Sequence, residues 1–277
     1  MKEITFIIPC YNEHPKVLQK TIDDLKKGLD KITYELIVVN DGSTKHEYSK
    51  IKHAKLISHK QNKGYGASLK TGIKNSKYSW IGIADSDGTY PVKDFPKLIK
   101  HMSDNDMVVG LRDKKGVPLL RKFPKLILRK LASFLANYKI PDLNSGMRLF
   151  KKDIALKFWK LFPEGFSFTS TITMACLTNG YDVKYVPIDY YKREGDSSIS
   201  PIKDTIRFFN LVLRLTLYFN PVRFFIPLAT LFFALFIWRG LRDYLLQGSF
   251  GGLTLVLFFM AFQTFFFGLL AEIINKK

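Results

Sequence analysis

The stretch from Leu253 to Ala271 carries Gln263 as its only strongly polar side chain. A run this apolar has two homes, the hydrocarbon of a bilayer or the interior of a large core. Upstream, Phe224 to Trp238 is uncharged and strongly apolar. That run is shorter than the roughly 20 residues a spanning helix needs. Extending it to Leu246 takes in Arg239, Arg242 and Asp243, and an arginine near a helix end can snorkel to the interface. A short Gly-containing loop separates the two runs, so they read as a hairpin with both ends on one side. The competing reading is a helical hairpin buried in a soluble core, yet a chain of 277 residues has little else to cover it. Lys276, Lys277 and the basic stretches upstream favour the cytosolic side for both ends, although Arg239 and Arg242 dilute that signal.

Ahead of Phe224 the pattern changes. Apolar strand-like runs at Ile4–Ile8, Glu35–Asn40, Lys55–Ser58, Trp80–Ala84 and Met107–Gly110 alternate with helical patterns at Val17–Lys27, Ala67–Asn75 and Val92–His101. This rhythm predicts an α/β domain with a mostly parallel sheet covered on both faces. Parallel strands deliver their outgoing loops to one edge. The polar loops Pro9–Glu13, Asp41–Thr44 and Asp85–Thr89 are therefore expected to gather in one cleft.

Formal net charge is +19, which calls for an anionic partner: nucleic acid, a phosphate-bearing substrate or an anionic membrane face. Two amphipathic stretches are basic, one well ahead of the apolar runs and one leading into them. One holds Arg112, Lys114, Lys115, Arg121, Lys122, Lys125, Arg129 and Lys130; the other holds Lys203, Arg207 and Arg214. Each is a solvated helix face or a membrane-surface helix, and the neighbouring spans favour the membrane. No nucleic-acid motif is recognisable, so nucleic acid is not an expected partner. Cys10 and Cys176 make neither a disulfide framework nor a zinc motif, and the five histidines show no metal-ligand spacing. No signal-peptide pattern precedes Ile4, so the soluble part is expected in the cytosol.

The run Trp80–Ala84 ends in Asp85-Ser86-Asp87-Gly88. Two carboxylates at that spacing can hold one hard divalent cation together with substrate phosphates, although Asp and Gly are also ordinary turn residues. Gly64 to Thr71 superficially suggests a phosphate loop, but Leu69 precedes Lys70 and breaks the G-x-x-x-x-G-K-[ST] pattern. Gly64 and Gly66 fit better as a backbone turn leading into a helix.

Five motifs now stand in order: Pro9-Cys10-Tyr11-Asn12-Glu13, Val39-Asn40-Asp41-Gly42-Ser43, Asn62-Lys63-Gly64, Asp85-Ser86-Asp87 and Asn144-Ser145-Gly146-Met147-Arg148. With two C-terminal spans, the chain resembles family 2 glycosyltransferases of the GT-A fold, specifically the polyprenyl-phosphate glycosyltransferases. These include dolichyl-phosphate mannose synthases and bacterial undecaprenyl-phosphate glucosyltransferases. The resemblance implies a cytosolic GT-A domain over 1–200, an amphipathic juxtamembrane helix over 201–222, and two transmembrane helices within 223–277, at about 224–245 and 252–273. It implies a nucleotide-sugar donor, a polyprenyl-phosphate acceptor and Mg²⁺ or Mn²⁺ held by Asp85 and Asp87. Pro9, Tyr11, Glu13, Asp41, Gly64, Asp85 and Ser86 would line the donor site. For Asp41 the structural alternative is capping of the turn at Ser43-Thr44. Arg112, Arg121, Arg148 and Arg193 would hold the acceptor phosphate, and Asp87 and Asp142 would act at the reacting centre. Thr89 stands where related mannose synthases carry a Gln metal ligand, which tilts the donor toward a UDP-hexose.

Two other readings compete. The acceptor is a glycolipid hydroxyl in one, though the Gln-x-x-Arg-Trp motif of processive synthases is absent because no Trp follows an Arg. The other is a non-catalytic, membrane-anchored nucleotide-binding module, against which the intact Asp85 and Asp87 argue. Aromatic-rich spans such as Phe265-Phe266-Phe267 offer a surface for packing against further copies of the chain.

Overall fold

The computed structural model describes residues 2–29, 32–112, 130, 133–134, 138, 140–165, 167–191, 209–210, 213–214 and 216–275. Seven strands form one sheet: β1 (Glu3–Cys10), β2 (Thr33–Asn40), β3 (Lys55–Ser58), β4 (Trp80–Ile83), β5 (Met107–Arg112), β6 (Arg148–Lys151) and β7 (Val183–Ile188). Their spatial order is β3-β2-β1-β4-β6-β5-β7. β1 pairs in parallel with β2 and β4, β2 with β3, and β5 with β7. The expected edge therefore exists: the loops after β1, β2 and β4 emerge side by side.

β6 runs antiparallel to both its neighbours, with Arg148 opposite Ile83 of β4 and Val109 of β5. Reversal has a functional consequence. The loop that precedes β6, around Asn144–Met147, arrives at the edge where β4 and β5 end.

The sheet is covered on both faces. On one, Ile4, Phe6, Ile8 and Val38 pack with Leu18, Ile22 and Leu25 of α1 (Pro15–Gly28) and with Phe95 and Leu98 of α3 (Phe95–Ile99). Leu18, Ile22 and Leu25 fall at helical spacing, Pro15 occupies the first turn, and the His14 side chain accepts the Lys16 N–H. On the other face, Ile7, Ile37, Ile81 and Ile83 pack with Leu69 and Ile73 of α2 (Tyr65–Lys74), Ile154 of α4 (Lys152–Lys157), and Phe168 and Ile172 of α5 (Phe168–Thr178).

The helix expected over Val92–His101 is a 3-10 turn (Val92–Asp94) followed by the short α3. Pro96 explains the break, since proline is tolerated only in a first helical turn. The sequence pattern missed α5 because Phe168 to Cys176 is buried all round. Without a polar face there is no amphipathic period to read. Its threonines are satisfied internally: Thr171 Oγ1 donates to the Ser167 carbonyl and Thr173 Oγ1 to the Thr169 carbonyl.

At the C-terminal end, α6 (Pro221–Gln247) and α7 (Gly252–Asn275) form a hairpin. Both are long and apolar enough to cross a membrane. Large apolar side chains such as Trp238 (63% exposed) and Phe259 (64% exposed) point outward, so this is not the hairpin of a soluble core. At its tip, Asp243 accepts hydrogen bonds from Thr254 Oγ1 (2.7 Å), the Gly251 N–H (3.2 Å) and Arg239 Nε (3.3 Å). A carboxylate in an apolar helix is thus paired and used to fasten the turn.

Candidate active site

β4 ends at Ile83, and the chain turns through Asp85, Ser86, Asp87 and Gly88. Asp85 is held from two sides. Tyr65, the first residue of α2, donates its hydroxyl to Asp85 Oδ1 at 2.9 Å. From the loop before β6, Gly146 presses its backbone against the same carboxylate. A Cβ on Gly146 would stand 2.1 Å from Asp85 Oδ2. Burial first, and the Asp87 charge second, push the Asp85 carboxyl up to about 6. Two half-buried carboxylates that repel one another are a donor set that a bound cation would stabilise. Their hard oxygens suit Mg²⁺ or Mn²⁺. Among the described residues no group of three or more His, Cys, Asp or Glu could hold a metal. The remaining ligands would then be substrate oxygens and water.

Asp87 Oδ1 accepts both the backbone N–H (3.2 Å) and the hydroxyl (2.6 Å) of Thr89. Thr89 is 1% exposed. It shapes the turn around Asp87 rather than facing a ligand.

Of the residues expected to line a donor site, Tyr11 is exposed, whereas Pro9 and Ser86 are buried. The Glu13 carbonyl accepts the Tyr48 hydroxyl at 2.6 Å. Asn12, which residue chemistry alone did not single out, ties two loops together. Its N–H donates to Ser43 Oγ, and its Oδ1 accepts the N–H groups of Thr44 and Lys45. Asn12 has φ of 56°, a region that asparagine tolerates better than most residues, and its place in the Pro9–Glu13 motif was the one sequence signal for it.

Asp41 is 3% exposed, and both its oxygens are engaged. Oδ1 accepts the Lys63 N–H (2.9 Å) and lies 2.7 Å from His59 Nδ1, while Oδ2 accepts the Gly64 N–H (2.7 Å). His59 Nε2 lies 2.8 Å from Thr71 Oγ1 on α2. Asp41 therefore anchors the Asn62–Gly64 loop. The capping considered for it at Ser43 falls to Asn40, whose Oδ1 accepts the Ser43 N–H. Gly64 has φ of 104°, and the following N–H groups of Gly66 and Ala67 donate to the carbonyls of Gly165 and Glu164. With those donors spent on the protein, the start of α2 is not a phosphate cradle.

A second charged group centres on Arg112 at the end of β5. Its Nε donates to Asp142 Oδ2 (2.7 Å) and its Nη2 to Asp142 Oδ1 (2.8 Å). Burial opposes the Arg112 cation, but the Asp142 bonds outweigh it and hold its pKa above the ordinary value. The Tyr190 ring lies 5.3 Å from the guanidinium and packs edge-on against Tyr90. Tyr90 Oη accepts the Gly146 N–H at 2.8 Å, with Arg112 Nη1 at 3.4 Å. Tyr90 thus links the carboxylate turn, the Gly146 loop and the arginine. Neither Tyr90 nor Tyr190 stood out in the sequence, where a tyrosine reads equally well as core.

Arg148 requires a correction. It was expected to hold an acceptor phosphate, yet it is fully buried. Its guanidinium donates to the Ser145 and Thr169 carbonyls and to Thr173 Oγ1. Strand alternation is the reason: Arg148 opens β6 with its side chain on the α5 face, where it binds the helix to the sheet. Arg121 and Arg193 lie outside the described residues.

A mixed sheet with an acidic turn at the end of β4 and a fixed arginine beside it is the frame of a GT-A glycosyltransferase. Residues 5–159 match the model of glycosyl transferase family 2, and residues 220–276 match that of the GtrB C-terminal hairpin. The chain belongs to glycosyl transferase family 2 and is a glycosyltransferase. It is 29% identical over 228 residues to a human dolichyl-phosphate beta-glucosyltransferase, covering 72% of this chain and 70% of that one. A dolichyl-phosphate hexose transferase from Haloferax volcanii is 25% identical over 214 residues, covering 73% and 90%. Among solved structures, glucosyl-3-phosphoglycerate synthase from Mycobacterium tuberculosis shares the fold with a TM-score of 0.62 at 15% identity, over 78% of this chain and 80% of that one. That crystal contains Mn²⁺, UDP and glucosyl-3-phosphoglycerate.

Proposed function

We propose that the chain transfers a sugar, with inversion, from a nucleotide-sugar to polyprenyl phosphate. A UDP-hexose is the favoured donor. One observation carries this reading: the Asp85–Asp87 turn and the Arg112–Asp142 pair meet at one sheet edge, joined through Tyr90 and Gly146. Names of relatives that act on dolichyl phosphate support the acceptor class.

In this scheme Asp85 and Asp87 would hold a Mg²⁺ or Mn²⁺, which when bound would supply positive charge to the donor diphosphate. Tyr65 and Gly146 fix the Asp85 carboxylate, and Thr89 fixes that of Asp87. Arg112 offers a cation to the acceptor phosphate, and Asp142 sets the plane of its fork. An oxygen of the acceptor phosphate attacks the anomeric carbon. The bond from that carbon to the nucleoside diphosphate breaks, and its electron pair leaves with the diphosphate. A lipid phosphate is already anionic near neutral pH, so rate enhancement rests on positioning and charge rather than on a strong base. In this proposal the domain over 1–200 lies on the cytosolic face, with the hairpin in the bilayer and both ends cytosolic. Its apolar exterior supports the bilayer placement.

The test uses the purified full chain with polyprenyl phosphate or diacylglycerol, each against a panel of UDP- and GDP-sugars. An acid-labile, chloroform-extractable sugar lipid should form from polyprenyl phosphate only when Mg²⁺ or Mn²⁺ is present. Unchanged transfer by Asp87→Asn, or indifference to chelation, overturns the reading.

A further inference from the structure

One flank of the soluble domain carries a cluster that the catalytic edge does not use. Trp159 follows α4 and is half-buried. Lys70 and Lys74 of α2 place their ammonium groups 5.8 and 5.4 Å from its ring centroid. Its neighbour Phe158 packs edge-on against Phe219 at 5.7 Å. Phe219 stands two residues before Pro221, where α6 begins. Lys157 lies 5.4 Å from the Tyr181 ring centroid and donates to the Tyr181 hydroxyl. Leu156 beside it is 51% exposed, and Lys160 is exposed too. The segment's one carboxylate, Asp153, has Oδ1 turned back onto the Ile154 N–H. Trp80 of β4 pairs with Lys151, so α4 departs from the sheet edge opposite the Asp85–Asp87 turn.

We propose that this flank, formed by Leu156, Lys157, Trp159 and Lys160 with Lys70 and Lys74, docks on the anionic headgroup layer of the bilayer that α6 and α7 enter. Two observations select that occupant. The first is continuity: Phe158 touches the residue that leads into the spanning helix, which puts the flank at headgroup height. The second is charge: four lysines surround an apolar and indole surface. Tryptophan favours the interface, lysine stems cover apolar surface while their ammonium groups reach outward, and anionic lipid attracts such cations within a Debye length. The contact would give the soluble domain a second hold on the membrane and so limit its rotation relative to the bilayer. It rests on the hairpin lying in a bilayer, and the test separates the two.

The chain's own tryptophans, Trp80, Trp159 and Trp238, supply the probes. One full-length variant keeps only Trp159 (Trp80→Phe, Trp238→Phe) and another keeps only Trp238 (Trp80→Phe, Trp159→Phe). Both are placed in phosphatidylglycerol-containing nanodiscs with lipids brominated at shallow or deep positions. Trp159 emission should fall about twofold or more with shallow bromines, as for an interfacial indole. Lys157→Glu with Lys160→Glu should abolish most of that quenching, and so should about 0.5 M salt, with Trp238 unaffected. Quenching of Trp238 but not of Trp159 overturns the docking and leaves the hairpin standing. Trp159 quenching that ignores both charge reversal and salt also overturns it. If neither tryptophan is quenched, the hairpin reading falls and takes the docking with it.

Discussion

Gly146 and Asp85 approach so closely that a single methyl group would not fit between them: a Cβ on Gly146 would lie 2.1 Å from Asp85 Oδ2. The contact crosses from the loop before β6 to the turn after β4, so the antiparallel strand itself supports the carboxylate proposed to bind metal. Gly146→Ala should displace Asp85, at a strain cost of about 1–3 kcal/mol. The expected outcome is transfer lowered about tenfold or more, with a raised Mn²⁺ requirement. Metal titration of activity checks it, and a normal metal response in the variant would refute this role for the contact.

Arg112 and Asp142 form a two-point fork, which lysine cannot reproduce. Arg112→Lys should raise the KM for polyprenyl phosphate about tenfold while leaving UDP affinity near wild type. Asp142→Asn leaves a largely buried cation without its partner. Arg112 keeps one-fifth of its side chain exposed, so the stability loss should sit near the lower end of the roughly 3–5 kcal/mol seen for broken buried pairs. Thermal melts beside acceptor titrations distinguish the two effects. Equal loss of donor and acceptor affinity in Arg112→Lys would count against an acceptor-side arginine.

Arg148 is a structural cation, and its substitution should show in stability first. Hydrogen bonds to a charged group contribute about 1.5–3 kcal/mol each when one partner is removed. Arg148→Leu, which abandons the Ser145, Thr169 and Thr173 acceptors, should melt well below the wild type or fail to accumulate. A variant that melts normally and shows only a raised acceptor KM would restore the phosphate-binding role.

Asp106 and Lys151 brace β6 at its far end, where Lys151 Nζ lies 2.7 Å from Asp106 Oδ1 and the Asp182 N–H donates to Oδ2. Burial opposes ionisation of Asp106, but the Lys151 and Asp182 hydrogen bonds outweigh it and hold the carboxyl below its usual range. A depressed folded pKa stabilises the fold fully above the unfolded value of about 3.9 and is lost as pH falls through the folded one. Lys151 is shifted upward, chiefly by its bond to Asp106. Its share is present below an unfolded value of about 10.4 and is lost as pH rises through the folded one. The pair is partly exposed, so screening keeps it under about 1 kcal/mol. Asp106→Asn should lower the melting temperature slightly at pH 7 and reduce the further drop toward pH 3. An unchanged acid limb would rule the pair out as its source.

Periodicity and local chemistry exposed the part of this protein that is written locally. β1 to β5, α1, α2, the acidic turn and the hairpin each follow from runs of neighbouring residues, because strand and helix periods and the absence of charge need no knowledge of the rest of the chain. β6, β7 and α5 did not show: β6 opens on a buried arginine and ends on a lysine, β7 carries Lys184 and Pro187 within its run, and a helix buried on every side has no polar face to set a period. Arginine placement was equally hidden. Arg112 and Arg148 look alike in sequence, yet one ends a strand beside the acidic turn and the other opens a strand facing the core. The sequence by itself determined that two carboxylates end an apolar strand and that an apolar hairpin follows. Only the tertiary structure decided that Gly146 and Tyr65 hold Asp85, that Asp41 spends its charge on a loop, and that Asp142 belongs to Arg112. Such pairings depend on which strand lies beside which and in which direction, and that is set by burying both faces of the sheet at once.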